Sequence, residues 1–328
     1  MPEPLLSVRD LVVEFPTRRG VLRAIDKVSF DIAEGEVLGM VGESGAGKSI
    51  TGAAIIGLIE PPGRIAGGEI RLKGERIDNL SPETMRRVRG RRIGMVFQDP
   101  LTSLNPLYTV AQQLIETIRT HLDVSDKEAR ARAVALLDRV GIPAAARRID
   151  DYPHHFSGGM RQRVVIALAL CAEPELVIAD EPTTALDVSV QAQIIDVLKE
   201  ICAERGASVM LITHDMGVIA ETADRVAVLY AGRLAEIGPV RDVIQAAEHP
   251  YTQGLMGSIP TLAQEHDRLV QIPGSMPRLN AIPPGCAFNP RCEQAFERCF
   301  RDRPEPLPRG GGRQVACWLY DRAGVAHG

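Results

Sequence analysis

The octapeptide Gly42-Glu43-Ser44-Gly45-Ala46-Gly47-Lys48-Ser49 fits the spacing G-x-x-x-x-G-K-[ST], and each residue type in it has a use against phosphate. Its glycines let backbone N–H groups converge on phosphate oxygens, and a helix opening near Lys48 adds the positive end of its dipole. Lys48 can reach the β- and γ-phosphates of a nucleotide, and Ser49 can offer its hydroxyl to Mg2+. Gly42, Glu43, Ser44, Gly45, Ala46, Gly47, Lys48, Ser49 and the following Ile50 are therefore the candidate nucleotide-binding residues. The bland alternative is a glycine-rich turn before a helix that carries a surface lysine. Against it stands the preceding strand pattern, Val37-Leu38-Gly39-Met40-Val41, apolar on both faces as in a buried parallel sheet.

Such a cradle hydrolyses nothing without carboxylates. Leu176-Val177-Ile178-Ala179-Asp180-Glu181 supplies two at the C-terminal end of a second apolar strand, where ligands bind in open α/β sheets. Asp180 is placed to hold Mg2+ through a water. Glu181 can orient the attacking water or accept its proton.

The elements that must position these groups can be read from periodicity. Ser208–Ile212 gives a third buried strand, and helical patterns cover Val110–Thr120, Lys127–Val140, Met160–Cys171 and Val190–Glu204. Strands alternating with helices predict an α/β sheet with crossovers. Leu11, Val13 and Phe15 alternate at period two, as do Val28, Phe30 and Ile32, and Ile70 and Leu72. These predict a half-exposed antiparallel sheet at the N-terminal end. From about Asp99 to Phe156 the chain is all helix and loop. After Gly238 proline, arginine and cysteine rise, and residues 245–328 read as a separate small module.

Composition bounds the answer further. The chain has 328 residues, 38 basic against 42 acidic, and 45% hydrophobic residues. Disorder, collagen-like repeats and a disulfide-stapled miniprotein are excluded, and the mildly acidic balance argues against a bulk nucleic-acid binder. The longest apolar run, Val164 to Ala172, falls far short of the roughly 20 residues that span a bilayer. Met1-Pro2-Glu3-Pro4 begins no secretory signal, so the expected compartment is the cytoplasm.

Phe156-Ser157-Gly158-Gly159-Met160-Arg161-Gln162-Arg163 resembles the signature sequence of ABC (ATP-binding cassette) ATPases. Other pieces follow in that family's order. Gln98, after strand Ile93–Phe97, resembles the Q-loop glutamine; Ala185-Leu186-Asp187 resembles the D-loop; His214, after the Ser208–Ile212 strand, resembles the switch histidine. Phe15 sits where the family stacks an aromatic ring on adenine. The resemblance implies an α/β P-loop NTPase fold, an ABC cassette. Its parts would be a parallel core sheet, an N-terminal antiparallel β subdomain, an inserted α-helical subdomain and a small Cys-rich C-terminal extension. The nucleotide-binding domain would span residues 1–240, with the helical insert at about 99–165, and the extension residues 241–328. It also implies ATP and Mg2+ as cofactors, Glu181, His214 and Gln98 as catalytic residues, and head-to-tail dimerisation. In that dimer Ser157, Gly158, Gly159 and Gln162 of one cassette would face the ATP of the other, with Asp187 at the junction.

A closer resemblance, to the ATP-binding subunit of bacterial dipeptide/oligopeptide importers, covers nearly the whole chain. It is carried by Gln98 to Pro106, Tyr152-Pro153-His154-His155, His249-Pro250-Tyr251-Thr252, Ile272 to Pro277 and Gly285 to Cys292. Phe156 and His155 stand where Leu and Gln are commoner. It implies a peripheral subunit on the cytoplasmic face of the bacterial inner membrane, energising uptake of peptides or similar small solutes. Its partners would be two transmembrane permease subunits, a second ABC ATPase subunit (a paralogue or an identical copy) and an external solute-binding protein, with no nucleic acid. The segment opening at Asp99 would begin the helical insert that docks permease coupling helices. The alternative is a soluble ABC ATPase acting on nucleic acid or ribosomes. The chain lacks the long heptad-repeat arms of the first such group and the paired cassettes of the second.

Cys286, Cys292, Cys299 and Cys317 fall close together near the C-terminus, while Cys171 and Cys202 lie on apolar helix faces and read as core thiols. Four such cysteines in a cytosolic chain favour a metal site over disulfides. Their spacing lacks the tight C-x-x-C pairs usual for zinc. Related importer subunits hold a [4Fe–4S] cluster with such a quartet, so the resemblance favours that cofactor, with zinc or free thiols left open. Arg291 and Arg298 beside the candidate ligands would offset its negative charge.

Overall fold

The structure is a computed structural model and describes residues 3–183, 188–257 and 272–321. Among them the strands, in chain order, are β1 (Leu6–Thr17), β2 (Gly20–Ile32), β3 (Val37–Val41), β4 (Arg64–Leu72), β5 (Glu75–Arg76) and β6 (Ile93–Val96). There follow β7 (Leu176–Asp180), β8 (Ser208–Ile212), β9 (Arg225–Tyr230), β10 (Arg233–Pro239), β11 (Leu307–Gly310) and β12 (Arg313–Val315). The chain divides into two compact units.

One unit comprises Leu6–Asp31, Val37–Asp78 and Ile212–Gly328. It holds the expected antiparallel sheet, ordered β2-β1-β4-β5. Val28, Phe30 and Ile32 on β2 and Ile70 and Leu72 on β4 are buried, as their alternation requires. Strand β1 starts five residues before Leu11, the first residue of the legible pattern. Leu6 and Val8 face the core at even positions, then Leu11 and Val13 at odd ones. The parity changes at a bulge: the register with β4 shifts between Arg9 and Val12, and Asp10 takes a φ of 47°.

The same unit carries the ordered strands β11-β12-β10-β9-β3. β3 runs parallel to β9, and β10 lies antiparallel to both β9 and β12. The last two strands of the described chain therefore continue a sheet that begins in the cassette. Behind them the Glu236 carboxylate is 1% exposed yet fully engaged. It accepts from Arg313 Nη2 at 2.8 Å and from the backbone N–H groups of Glu248 and His249. A buried charge paired and hydrogen-bonded in this way avoids most of its desolvation cost.

The other unit comprises Met1–Leu5, Ile32–Glu36 and Asn79–Leu211. β8, β7 and β6 lie side by side, and β6 runs parallel to β7. All five residues of β7 are buried, which explains its unbroken apolar run. Helices Val110–His121, Asp126–Arg139, Gly158–Leu170 and Val188–Arg205 fall where the periodicity predicted them. The first three start at side-chain caps: a capping box between Thr109 and Gln112, and serine caps at Ser125 and Ser157. Among the described residues no helix is long and apolar enough to cross a membrane.

Candidate active site

The phosphate-loop sequence forms a tight turn between β3 and the helix Lys48–Ile55. Gly42 has φ 150° and Gly47 φ 106°; a Cβ on Gly42 would lie 2.3 Å from the Leu229 carbonyl oxygen, and one on Gly47 2.6 Å from Ile25. Only glycine fits either place. Gly47 caps the helix without any side-chain hydrogen bond, and the first turn carries no acidic residue. An anion approaching those N–H groups thus meets no capping or acidic side chain from the helix itself. Lys48 is 5% exposed, and its Nζ arches back over the loop to donate to Gly42 O at 2.8 Å and Glu43 O at 3.2 Å. Ser44, Gly45 and Ser49 are exposed, Ile50 is partly so, and Ala46 is buried. Phe15 is half-buried, its ring packed against Gly63. His214, exposed, follows β8 and precedes Asp215, which caps the helix Met216–Thr222.

In the other unit the ends of β6 and β7 bring Gln98 and Glu181 together. Gln98 Nε2 donates to Glu181 Oε2 at 3.0 Å. Glu181 holds φ 45°, a left-handed conformation unusual for glutamate, and strain of this kind gathers at functional sites. Asp180, the last residue of β7, is 6% exposed.

Ser157 caps the helix Gly158–Leu170, its Oγ accepting from the Met160 N–H at 3.4 Å. Nothing lies within 4 Å of the Cβ direction of Gly158, so this helix start is open on that side. Phe156 is buried under Arg148, whose guanidinium carbon sits 4.4 Å above the ring. Gln162 does not join the open turn. It is 2% exposed, on the inward face of the helix, and its Nε2 has no hydrogen-bond partner. The expectation is that Gln162 faces another cassette; within this single chain the position falls more than a turn past the cap, among the buried residues. Asp187 lies outside the described residues.

Residues 25–184 match the ABC transporter family, and residues 235–299 match the C-terminal region of the oligopeptide/dipeptide transporters. The chain is 48% identical over 321 residues to the dipeptide transport ATP-binding protein DppD of Bacillus subtilis, covering 98% of this chain and 96% of that one. The chain belongs to the ABC transporter family. It is also 45% identical to the oligopeptide transport ATP-binding protein AppD of Bacillus subtilis, over 98% of each chain. Among solved structures, a dimeric post-hydrolysis state of the ATP-binding cassette MJ0796 bound to ADP and Pi matches with a TM-score of 0.66 at 28% identity. It covers 72% of this chain and 99% of that one. This cassette is an ABC ATPase with mixed sheets, and its matched families are transporters rather than factors acting on nucleic acid.

Beyond the cassette, the Cys-rich segment departs from expectation. Among the described residues no group of three or more His, Cys, Asp or Glu side chains could hold a metal ion, so neither zinc nor an iron–sulfur centre is supported by a ligand set. The thiols are nonetheless neighbours. Burial pushes the Cys317 thiol up to about 12, and charge on Cys286, Cys292 and Cys299 adds to the rise. Burial likewise lifts Cys286 to about 11. Cys171 and Cys202, both buried, are raised to about 12 by the same cause and are core thiols.

The two arginines are also engaged elsewhere than expected. Arg298 stacks on Trp318, 3.5 Å from the ring centroid, and pairs with Asp321 at 2.8 Å. Arg291 reaches the phosphate loop and forms a two-pronged ion pair with Glu43, at 2.6 and 2.9 Å. The sequence reading missed this contact, as it missed Tyr251, whose phenol oxygen accepts the Glu43 N–H at 2.8 Å.

Proposed function

We propose that this ABC ATPase energises uptake of di- and oligopeptides or similar small solutes, as a peripheral subunit on the cytoplasmic face of a bacterial inner membrane. The observation that carries the reading is similarity over nearly the full chain to dipeptide and oligopeptide transport ATP-binding proteins, including the match at residues 235–299. Two permease subunits, a second cassette and an external solute-binding protein complete the assembly. Leu101, Leu107 and Tyr108 project largely exposed apolar surface from the helical insert, which supports a permease-facing role for that segment.

In this reading the loop Gly42 to Ile50 binds the phosphates of ATP, with Lys48 neutralising the β- and γ-oxygens and Phe15 beside the adenine. Ser49 and Asp180 would hold Mg2+, which spreads the charge developing on the transferred phosphoryl group. Glu181, held by Gln98, orients the attacking water and receives its proton, and His214 steadies the terminal phosphate. Ser157, Gly158 and Gly159 offer a second anion-binding helix start, directed at the ATP of a partner cassette, with Asp187 at that junction.

A further proposal concerns the cysteines. We propose that Cys286, Cys292, Cys299 and Cys317 hold a [4Fe–4S] cluster. What supports it is the grouping of four cysteines between residues 286 and 317. Anaerobically purified protein should then be brown, with about four irons per chain; colourless, iron-free protein overturns this. The transport reading is tested by affinity capture from detergent-solubilised membranes. Co-purifying permeases are expected, and ribosomal RNA without permeases would contradict the reading.

A further inference from the structure

A glutamate is an awkward second residue for a phosphate-binding loop, because its carboxylate repels the anion the loop must hold. The fold deals with Glu43 from outside the cassette. Arg291 brings both its terminal nitrogens onto the carboxylate, the paired geometry in which guanidinium and carboxylate bind most strongly. The Arg291 side chain is 5% exposed. Its remaining donors are committed too: Nε to Pro273 O at 2.8 Å, Nη1 also to the Tyr230 hydroxyl at 3.3 Å, and Nη2 also to Ile272 O at 3.4 Å. A guanidinium tied at every nitrogen is fixed in place.

The main chain of the same loop residue is held as well. Tyr251, 0% exposed, takes the Glu43 N–H on its phenol oxygen, and its ring packs against Tyr230 and Phe288 with centroids 4.6 and 5.5 Å away. Main chain and side chain of Glu43 are thus both clamped by residues that follow the cassette in sequence.

We propose that Arg291 is a positioning residue for ATP binding. It neutralises Glu43 and fixes the phosphate loop, so the C-terminal segment takes part in nucleotide binding. The proposal rests on reading Gly42 to Ser49 as the ATP cradle. Its expected signature lies in affinity. A role confined to folding would lower the yield of active protein and kcat together, leaving the KM for ATP unchanged. A positioning role raises Kd and KM and leaves kcat within about twofold.

The test is Mg-ATP binding by the purified full-length chain, measured by calorimetry, for wild type, Arg291→Gln, Glu43→Gln and the double variant. Arg291→Gln should weaken binding about tenfold. Adding Glu43→Gln should make it no worse, because the uncompensated carboxylate is then gone. Arg291→Lys keeps the charge but only one prong, and should fall between wild type and Arg291→Gln. It also carries the test if Arg291→Gln fails to fold: its deficit should vanish in the Glu43→Gln background. Wild-type affinity in Arg291→Gln, or losses that multiply in the double variant, would overturn the proposal alone. Failure of the wild-type chain to bind Mg-ATP would overturn the cradle reading with it.

Discussion

Gln98 Nε2 donates to Glu181 Oε2 at 3.0 Å, and the bond follows from strand register. β6 and β7 are parallel and pair Val96 with Ala179, so Gln98 and Glu181, each two residues on and just past its strand's end, leave the sheet side by side. Gln98 thereby fixes a carboxylate whose backbone is already in an unusual conformation. Replacing Gln98 with Ala should lower kcat about 10- to 100-fold and leave the KM for ATP within about threefold, because on the proposed reading the lost contact orients the water-activating group and not the nucleotide. Steady-state hydrolysis at saturating and limiting ATP checks this; an unchanged kcat would make the bond incidental.

The narrow space around the first glycine of the loop yields a stability prediction. A methyl group on Gly42 would meet the Leu229 carbonyl oxygen, a backbone atom that cannot swing aside. Gly42→Ala should cost about 2–4 kcal/mol and lower Tm by several degrees. Thermal unfolding of variant and wild type compares them directly, and an unaltered Tm would show that the loop relaxes freely.

Burial of His249 makes stability depend on pH. The imidazole is 4% exposed, its Nδ1 accepts the Tyr251 N–H at 3.0 Å, and desolvation lowers its pKa from 6.5 to about 4. Between those values the unfolded chain binds a proton that the folded chain refuses. The folded state is therefore favoured above about pH 6.5 and loses this contribution as pH falls towards 4. By pH 5 the loss amounts to about 2 kcal/mol. His249→Asn keeps an acceptor near the Nδ1 position and does not titrate, so its Tm should fall less than that of wild type between pH 7 and pH 5. Equal falls would place the acid sensitivity elsewhere.

Gln162 invites the opposite kind of change. Its buried Nε2 has no partner, and an unmet donor in the interior costs stability. Gln162→Leu should hold or raise Tm, by up to about 1–2 kcal/mol equivalent. A sharp drop would mean that the amide has a role in the folded chain.

The contiguous parts of the site were legible in the sequence because each motif sits at one strand end or one helix start. The Gly42–Ser49 loop and the Asp180-Glu181 pair are read from a few neighbouring residues with strong local constraints. What escaped was set by distant or directional packing. The bulge at Asp10 breaks the alternation of β1, so a period-two reading sees only its second half. The helix carrying Gln162 buries Val164, Val165, Ile166 and Ala167 in succession, so no polar stripe announces which way Gln162 faces. β11 and β12 are short and carry arginine and glutamine, and their partner β10 lies far back in the chain. Arg291 stands beside a cysteine in sequence, and that neighbour suggested the wrong electrostatic partner. Its true partner, Glu43, lies 248 residues away.

The central claim is that Glu181 activates water for hydrolysis of an ATP held by the Lys48 loop. The most direct measurement is Mg-ATP binding and steady-state hydrolysis by Glu181→Gln in the assembled transporter. Binding should stay within a few-fold of wild type while turnover falls by about a thousandfold or more. Undiminished turnover in that variant would contradict the account.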